Sequence, residues 1–380
     1  MTDDELELLR SRLALLGREH TPADVAVAMR ELRLVVSDAS VLSAVAALRR
    51  SSVGAGPLDD LLAGEGVTDV LVNGPGQVFV DAGRGLEPAK VRFADDEQVR
   101  RLATRLASSV GRRLDDASPF VDARLADGTR VHAVLAPVAE PGTCISLRVP
   151  ARRSFALDDL VAAGSLPESG AELMRAIISQ KLAFLVSGGT GSGKTTLLGA
   201  LLATVPHHER ILIVEDSREL RPDHPHVVRL EGRPINAEGV GAITLTDLVR
   251  QALRMRPDRV VLGEVRGGEI CDLLRALNTG HEGGCGTVHA NSVRDVPARL
   301  EALAALGGLG REACHTQVAA ALQVVIHVRR GVGGRREVGE VGVVRRASTG
   351  EVFIEPAVAF PHGRLEWGPG GDLLREWVQR

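Results

Sequence analysis

The chain has 380 residues, a formal net charge of −3, 44% hydrophobic residues and 25% charged ones. That length exceeds the roughly 250–300 residues at which single cores stop growing, so at least two domains are expected. The near-neutral balance excludes a chain-wide electrostatic pull toward nucleic acid or anionic lipid and leaves room only for a local basic face.

The chain opens Met1-Thr2-Asp3-Asp4-Glu5, acidic where a secretory leader is basic, and no apolar run of ~18 residues occurs anywhere. It therefore reads as cytoplasmic. Residues 1–50 read as a helical segment, in which Thr21 offers an N-cap and Pro22 the first helical position. Ser51 to Pro57 is a run of small residues expected to form a hinge. Residues 51–150 change texture. Short β-prone stretches (Val67–Asn73, Gln77–Asp81, Ala123–Leu125, Arg130–Leu135, Thr143–Val149) are separated by Asn-Gly, Asp-Gly and Pro-Gly turns, with one helix at Asp95–Val110. This is a small α+β domain. Residues 151–169 read as a linker holding one short helix. From residue 170 to 330 strands and helices alternate, which argues a parallel sheet covered on both faces. Residues 331–380 read as a β-hairpin and a short terminal helix.

Cys144, Cys271, Cys285 and Cys314 show no metal-ligand spacing and read as reduced thiols, with Cys285 exposed in a glycine-rich stretch. Of 46 basic residues only Lys90, Lys181 and Lys194 are lysine. One of these three completes the strongest motif in the chain. Gly188-Gly189-Thr190-Gly191-Ser192-Gly193-Lys194-Thr195 fits G-x-x-x-x-G-K-[ST], entered from the apolar stretch Leu182–Val186 and left through the helix-prone Thr196–Ala200. Glycines allow successive backbone N–H groups to converge on phosphate oxygens, and the following helix N-terminus adds partial positive charge. Lys194 would reach the β- and γ-phosphates of ATP, Thr195 would ligate Mg²⁺, and Thr196 would add its N–H. The expected fold is therefore α/β: a RecA-like P-loop NTPase domain with a parallel sheet, preceded by the α+β domain and the helical segment.

Carboxylates at strand C-termini face the nucleotide in such folds. Ile211–Val214 ends in Glu215-Asp216, and Val260–Gly263 ends in Glu264. One could hold the Mg²⁺ water shell while the other polarises the attacking water. Downstream, Gly280-His281-Glu282 and Thr287-Val288-His289 bring in two histidines at a spacing that suits no helical or finger-type zinc site. His281 has two readings, a γ-phosphate contact or a surface histidine, and the residues alone do not separate them.

Together these motifs resemble the secretion ATPase superfamily of type II and type IV secretion and type IV pili, and most closely its tight-adherence (Tad/CpaF, Flp pilus) branch. Glu215-Asp216-Ser217-Arg218-Glu219-Leu220 resembles that family's aspartate box. Leu253–Arg259 followed by Gly263-Glu264-Val265-Arg266-Gly267 resembles its Walker B region, and Thr279-Gly280-His281 through Thr287–Ser292 its histidine box. Asp127–Val131 and Ile145–Arg148 resemble the N-terminal-domain segments that bring arginines to the nucleotide; Val67–Pro75 is typical of the Tad branch. The resemblance implies Glu215 as the water-activating glutamate, with Glu264 supporting Mg²⁺ indirectly. It implies Arg130 and Arg148 as phosphate-neutralising arginines and His281 as a site residue, and leaves His289 and Arg124 open. It also implies a homohexameric ring working at the inner face of the cytoplasmic membrane through membrane platform proteins. Gly284-Cys285-Gly286 departs from the family pattern, and this predicts a mobile histidine-box loop. The tetracysteine insert of many type II secretion and pilus-extension ATPases is absent.

The function expected is an ATP-hydrolysing motor for a Tad/Flp-type pilus or a related secretion system. The alternatives are a DNA-transfer or nucleic-acid-translocating motor and a nucleotide-gated scaffold with little turnover. No tyrosine and only two tryptophans (Trp367 and Trp377, both in the tail) leave few stacking side chains for direct nucleic-acid grip.

Overall fold

The computed structural model describes residues 3–14, 16, 21–83, 85–150, 154–233, 235, 240–331 and 334–379. The first three residues of the expected linker, 151–153, lie outside them. The chain divides into two units, Met1–Ala151 and Arg152–Arg380.

The first unit begins with α1 (Asp3–Ala14), α2 (Pro22–Glu31) and α3 (Asp38–Val53). Thr21 caps α2 reciprocally: its hydroxyl accepts from Asp24 N at 3.3 Å, and the Asp24 carboxylate accepts from Thr21 N at 2.7 Å. Leu9, Leu13, Val25, Ala28, Met29 and Ala44 form a small separate core. The expected hinge is shorter than residues 51–57, because Ser51–Val53 complete α3 and the helix stops at Gly54. Ala55 and Leu58 are buried in the next core rather than lying in a free connection. There α4 (Asp59–Ala63), β1 (Asp69–Asn73), β2 (Val78–Asp81), β3 (Leu86–Pro88), α5 (Asp96–Ser108), β4 (Phe120–Arg124), β5 (Arg130–Val134) and β6 (Cys144–Arg148) follow. The strands make one antiparallel sheet in the order β3-β2-β1-β6-β5-β4. Alternate residues (Val70, Val72, Val131, Ala133, Ile145, Leu147) pack on Val99, Leu102 and Leu106 of α5, and the other face mixes polar residues such as His132 and Ser146 with apolar ones such as Leu71 and Phe120.

The second unit holds α6 (Leu157–Ala162), α7 (Glu168–Ser179), β7 (Phe184–Gly188), α8 (Lys194–Leu202), β8 (Ile211–Glu215), β9 (Val227–Glu231), α9 (Leu245–Ala252), β10 (Arg259–Val265), α10 (Glu269–Leu277) and β11 (Cys285–Val288). It ends with α11 (Val296–Leu306), α12 (Arg311–Ala321), β12 (Val324–Arg330), β13 (Arg336–Arg346), β14 (Val352–Ala359), β15 (Glu366–Trp367) and α13 (Gly371–Val378). One sheet runs β15-β14-β13-β12-β7-β11-β10-β8-β9. The expected parallel sheet is only its larger part. Pairs from β12 to β9 are parallel, but β13, β14 and β15 add antiparallel, so the C-terminal hairpin extends the second unit's sheet instead of standing apart.

Continuous apolar runs such as Ile211–Val214 are what a strand covered on both faces requires. Phe184, Val186, Ile211 and Ile213 face one core with Leu173, Met174 and Ile177 of α7, Leu197 and Leu201 of α8 and Leu374 of α13. Leu185, Leu212 and Val214 face the other, with Val249 of α9, Ile270 and Leu274 of α10, Leu300 of α11 and Val318 of α12. Leu157 and Leu160 belong to the first of these cores, so the linker's helix α6 is part of this unit. Among the described residues no helix is long and apolar enough to cross a membrane.

Candidate nucleotide site

Parallel register brings the predicted motifs to one edge of the sheet. Ser187 at the end of β7 pairs with Val288 of β11, Val214 of β8 pairs with Leu262 of β10, and Val328 of β12 pairs with Gly188. The strand C-termini therefore open together around the phosphate loop.

Gly188 leaves β7 at φ 153°, and Gly191 and Gly193 adopt φ 66° and 101°, conformations that side-chain-bearing residues rarely take. A Cβ on Gly188 would stand 2.3 Å from the Val328 carbonyl oxygen and 2.7 Å from Ser192 Oγ, so neither bond rotation nor space admits another residue there. Gly193 precedes α8, and Thr195 and Thr196 lie in its first turn, where unsatisfied N–H groups and the helix dipole favour an anion. Lys194 Nζ donates to the Gly188 and Gly189 carbonyls at 3.0 and 2.9 Å and to His289 Nδ1 at 3.3 Å. Burial pushes its ammonium below the ordinary lysine range, partly offset by the charge of Glu264. These residues fit a triphosphate with Mg²⁺, for which Thr195 would supply the hydroxyl ligand.

Glu215 closes β8 with only 4% of its surface exposed. Its Oε1 accepts from Glu219 N and Leu220 N at 3.0 and 2.9 Å, while among the described residues Oε2 has no hydrogen-bond partner. Burial raises the carboxyl to about 7; the two N–H donors pull the other way. A buried oxygen left without a donor suits a group that must accept a proton from water. Room for this side chain comes from Gly263 on the neighbouring strand, where a Cβ would lie 2.5 Å from Glu215 Cγ and 2.9 Å from its Oε1. Gly263→Ala is therefore expected to displace the carboxyl and cost about 1–3 kcal/mol of stability. Denaturant midpoints of the two proteins check this.

One residue later, β10 and β11 lose register between Leu262 and Val265, leaving one extra residue on β10 at Gly263–Glu264. Such a bulge re-aims a side chain. Glu264 Oε1 lies 2.9 Å from His289 Nε2, and Oε2 accepts from Arg266 Nη2 at 2.7 Å. Burial works to raise the Glu264 carboxyl, but Arg266, His289 and Lys194 outweigh it and hold it below the ordinary range. Glu269, at the start of α10, fixes Arg266 in place by accepting from Arg266 N at 2.6 Å and Gly267 N at 2.8 Å.

His289 joins these groups. An ammonium can only donate and a carboxylate only accept, so Nδ1 is the acceptor from Lys194 and Nε2 carries the proton given to Glu264. Burial and the Lys194 charge hold the imidazole below its ordinary value, in keeping with a neutral ring. His281 is placed differently. It precedes β11, where its Nδ1 lies 3.2 Å from the Ala276 carbonyl and Gly283 packs against Lys181. That is the N-terminal edge of the strands, opposite the phosphate loop. Replacing His289 with alanine is expected to lower ATP turnover about tenfold or more. His281→Ala is expected to stay within about twofold, and parallel initial-rate assays compare them.

The glycine-rich segment before His289 is not the mobile loop its composition suggests. Gly284 packs against Leu277 and the Val260 carbonyl, and Cys285 and Gly286 lie in β11. Cys285 is fully buried, and burial pushes its thiol up to about 12.

In the first unit Arg130 opens β5 and Arg148 closes β6, directly opposite each other, and Arg124 of β4 faces Arg130. The three share one row on the sheet face opposite the α5 core. The sequence shows Gly263 and Arg266 only as members of the Walker B pattern, with no role of their own. A glycine directly after the apolar stretch Val260–Leu262 was the available signal, because a strand-interior glycine marks a close approach.

The family of type II/IV secretion system proteins matches residues 51–340. A Mycobacterium tuberculosis protein named for conjugal transfer is 55% identical over 319 residues, 82% of this chain and 91% of its own length. The type IV secretion system protein PtlH of Bordetella pertussis is 34% identical over 309 residues, 74% of this chain and 91% of its own. The X-ray structure of the Legionella pneumophila ATPase DotB shares the fold at a TM-score of 0.53 and 22% identity, covering 75% of this chain and 78% of that one. From residue 51 to 340, spanning both the α+β domain and the nucleotide site, the chain belongs to the type II/IV secretion system protein family.

Proposed function

We propose that this protein is a Mg²⁺-dependent ATP hydrolase that drives a membrane-embedded secretion apparatus. The observation that carries the reading is the continuous contact Lys194–His289–Glu264–Arg266 beside the buried, partner-poor Glu215 oxygen, all at one strand edge. Glu215 accepts the proton of the attacking water. Lys194 leaves the Gly188 and Gly189 carbonyls to meet the β- and γ-phosphate oxygens, and its loss from His289 reports phosphate occupancy to Glu264 through the imidazole. Thr195 would hold Mg²⁺, with Glu264 supporting it indirectly, and the bound metal would supply neutralisation of charge developing on the phosphates. Arg130 and Arg148 serve as phosphate-neutralising arginines, and the working form is a homohexameric ring at the cytoplasmic face of the membrane.

The finer reading is assembly of a Tad/Flp-type pilus, supported by the Val67–Pro75 segment and by a sequence without the tetracysteine insert of many type II secretion and pilus-extension ATPases. A conjugal-transfer motor is the second reading, supported by the name of the M. tuberculosis relative. ATP turnover of the purified protein with and without single-stranded DNA separates a motor that pushes protein from one that grips nucleic acid. DNA-independent turnover is expected; strong stimulation by DNA moves the assignment to a translocase.

A further inference from the structure

On the side of the phosphate loop away from Glu264, β12 carries an arginine that no step above uses. Val328 sits opposite Gly188, so the next two residues run alongside the loop itself. Arg329 is taken by Glu337 across the hairpin at 2.9 Å. Arg330 turns to the loop, its Nη2 donating to the Gly191 carbonyl at 3.3 Å. A Cβ on Gly191 would stand 2.9 Å from that nitrogen, so the glycine admits the guanidinium as well as the backbone turn. Its cross-strand partner Arg336 lies over Gly193, its Cδ 3.4 Å from where a Cβ would be. Neither arginine forms an ion pair among the described residues, so Arg330 is held by the loop and not by a carboxylate.

A phosphate-binding loop works by turning its N–H groups inward, which requires its carbonyls to point outward. Lys194 accounts for the Gly188 and Gly189 carbonyls, and Arg330 accounts for the one at Gly191. When a nucleotide draws Lys194 away, Arg330 remains as a cation on the outer side of the loop. We propose, resting on the nucleotide-site reading above, that Arg330 is a positioning residue. It holds the Gly191 carbonyl outward and so keeps the loop in the form that receives a diphosphate.

Calorimetric titration of the full chain with ADP and with inorganic pyrophosphate, alongside steady-state ATP kinetics, tests this. Arg330→Ala is expected to weaken both ligands by the same factor, about 5- to 10-fold. KM for ATP should rise accordingly while kcat changes less than about twofold. Arg330→Lys, which keeps one N–H donor on a flexible stem, should recover most of the affinity. Unchanged binding in Arg330→Ala overturns the proposal, as does a lysine variant no better than alanine. Loss of ADP affinity with pyrophosphate untouched also overturns it, since that marks a ribose or base contact. A wild type that binds neither ligand, with its thermal unfolding intact, sinks the nucleotide-site reading and this proposal with it.

Discussion

Glu215→Gln is expected to lower kcat for ATP hydrolysis by about 100-fold or more while leaving ADP affinity within about twofold. The amide oxygen can keep the hydrogen bonds from Glu219 N and Leu220 N, so the aspartate-box turn should hold its shape. What disappears is the basicity of the second oxygen. With the carboxyl raised to about 7, the wild-type rate should climb between about pH 6 and pH 8 as the proton leaves, then level off. The small residual rate of the glutamine variant should lack that rise. The sign for stability is opposite. The fold holds this proton more tightly than the unfolded chain, whose carboxyl stays near 4.5, so Glu215 lowers stability as pH rises from about 4.5 to about 7. Thermal midpoints of wild type and Glu215→Gln should therefore diverge in favour of the variant across that window. Rate profiles and melts on the same two proteins measure both effects.

Lys194→Ala is expected to reduce affinity for ATP and ADP about 100-fold and to take turnover to background. The ammonium is a compact point charge in a space bounded by the Gly188 and Gly189 carbonyls at 3.0 and 2.9 Å. A planar guanidinium is too large for that space, so Lys194→Arg should not rescue binding. Truncation leaves those carbonyls facing an open loop edge, and thermal unfolding should shift by no more than a few degrees. Isothermal titration with ADP reads the affinity, and a matched melt shows that the loss is local.

The parts of this molecule legible in its sequence are those specified by neighbouring residues. Gly188–Thr195 lies between the apolar stretch Leu182–Val186 and the helix-prone Thr196–Ala200, so the motif and its flanks located it. Glu215 and Glu264 were legible because each ends an apolar run, and the run itself defines which end of the strand is meant. What escaped depends on long-range register. Val227–Glu231 mixes Arg229 and Glu231 with apolar residues, and it becomes a strand only because β8 offers a parallel edge. Arg311–Ala321 has few large apolar side chains; its burial of Cys314, His315 and Val318 follows from packing against α10 and α11. Two histidines eight residues apart look equivalent in the sequence. Strand β11 separates them, leaving His289 at the phosphate edge and His281 at the other. The role of Gly263 needed the Glu215 side chain of another strand, and that of Arg330 needed the pairing of Val328 with Gly188. The C-terminal hairpin was visible, but its union with the sheet of the second unit was set by pairing between β12 and β13.

Phosphate release from ATP and Mg²⁺ by the wild-type protein and by Glu215→Gln, after both have been shown to bind ADP, is the most direct test of a hydrolytic site at this strand edge. Equal ADP binding with release by the wild type alone is the expected result. Equal release by both proteins, or none by a wild type that binds ADP tightly, would contradict it; the second outcome leaves a nucleotide-gated scaffold.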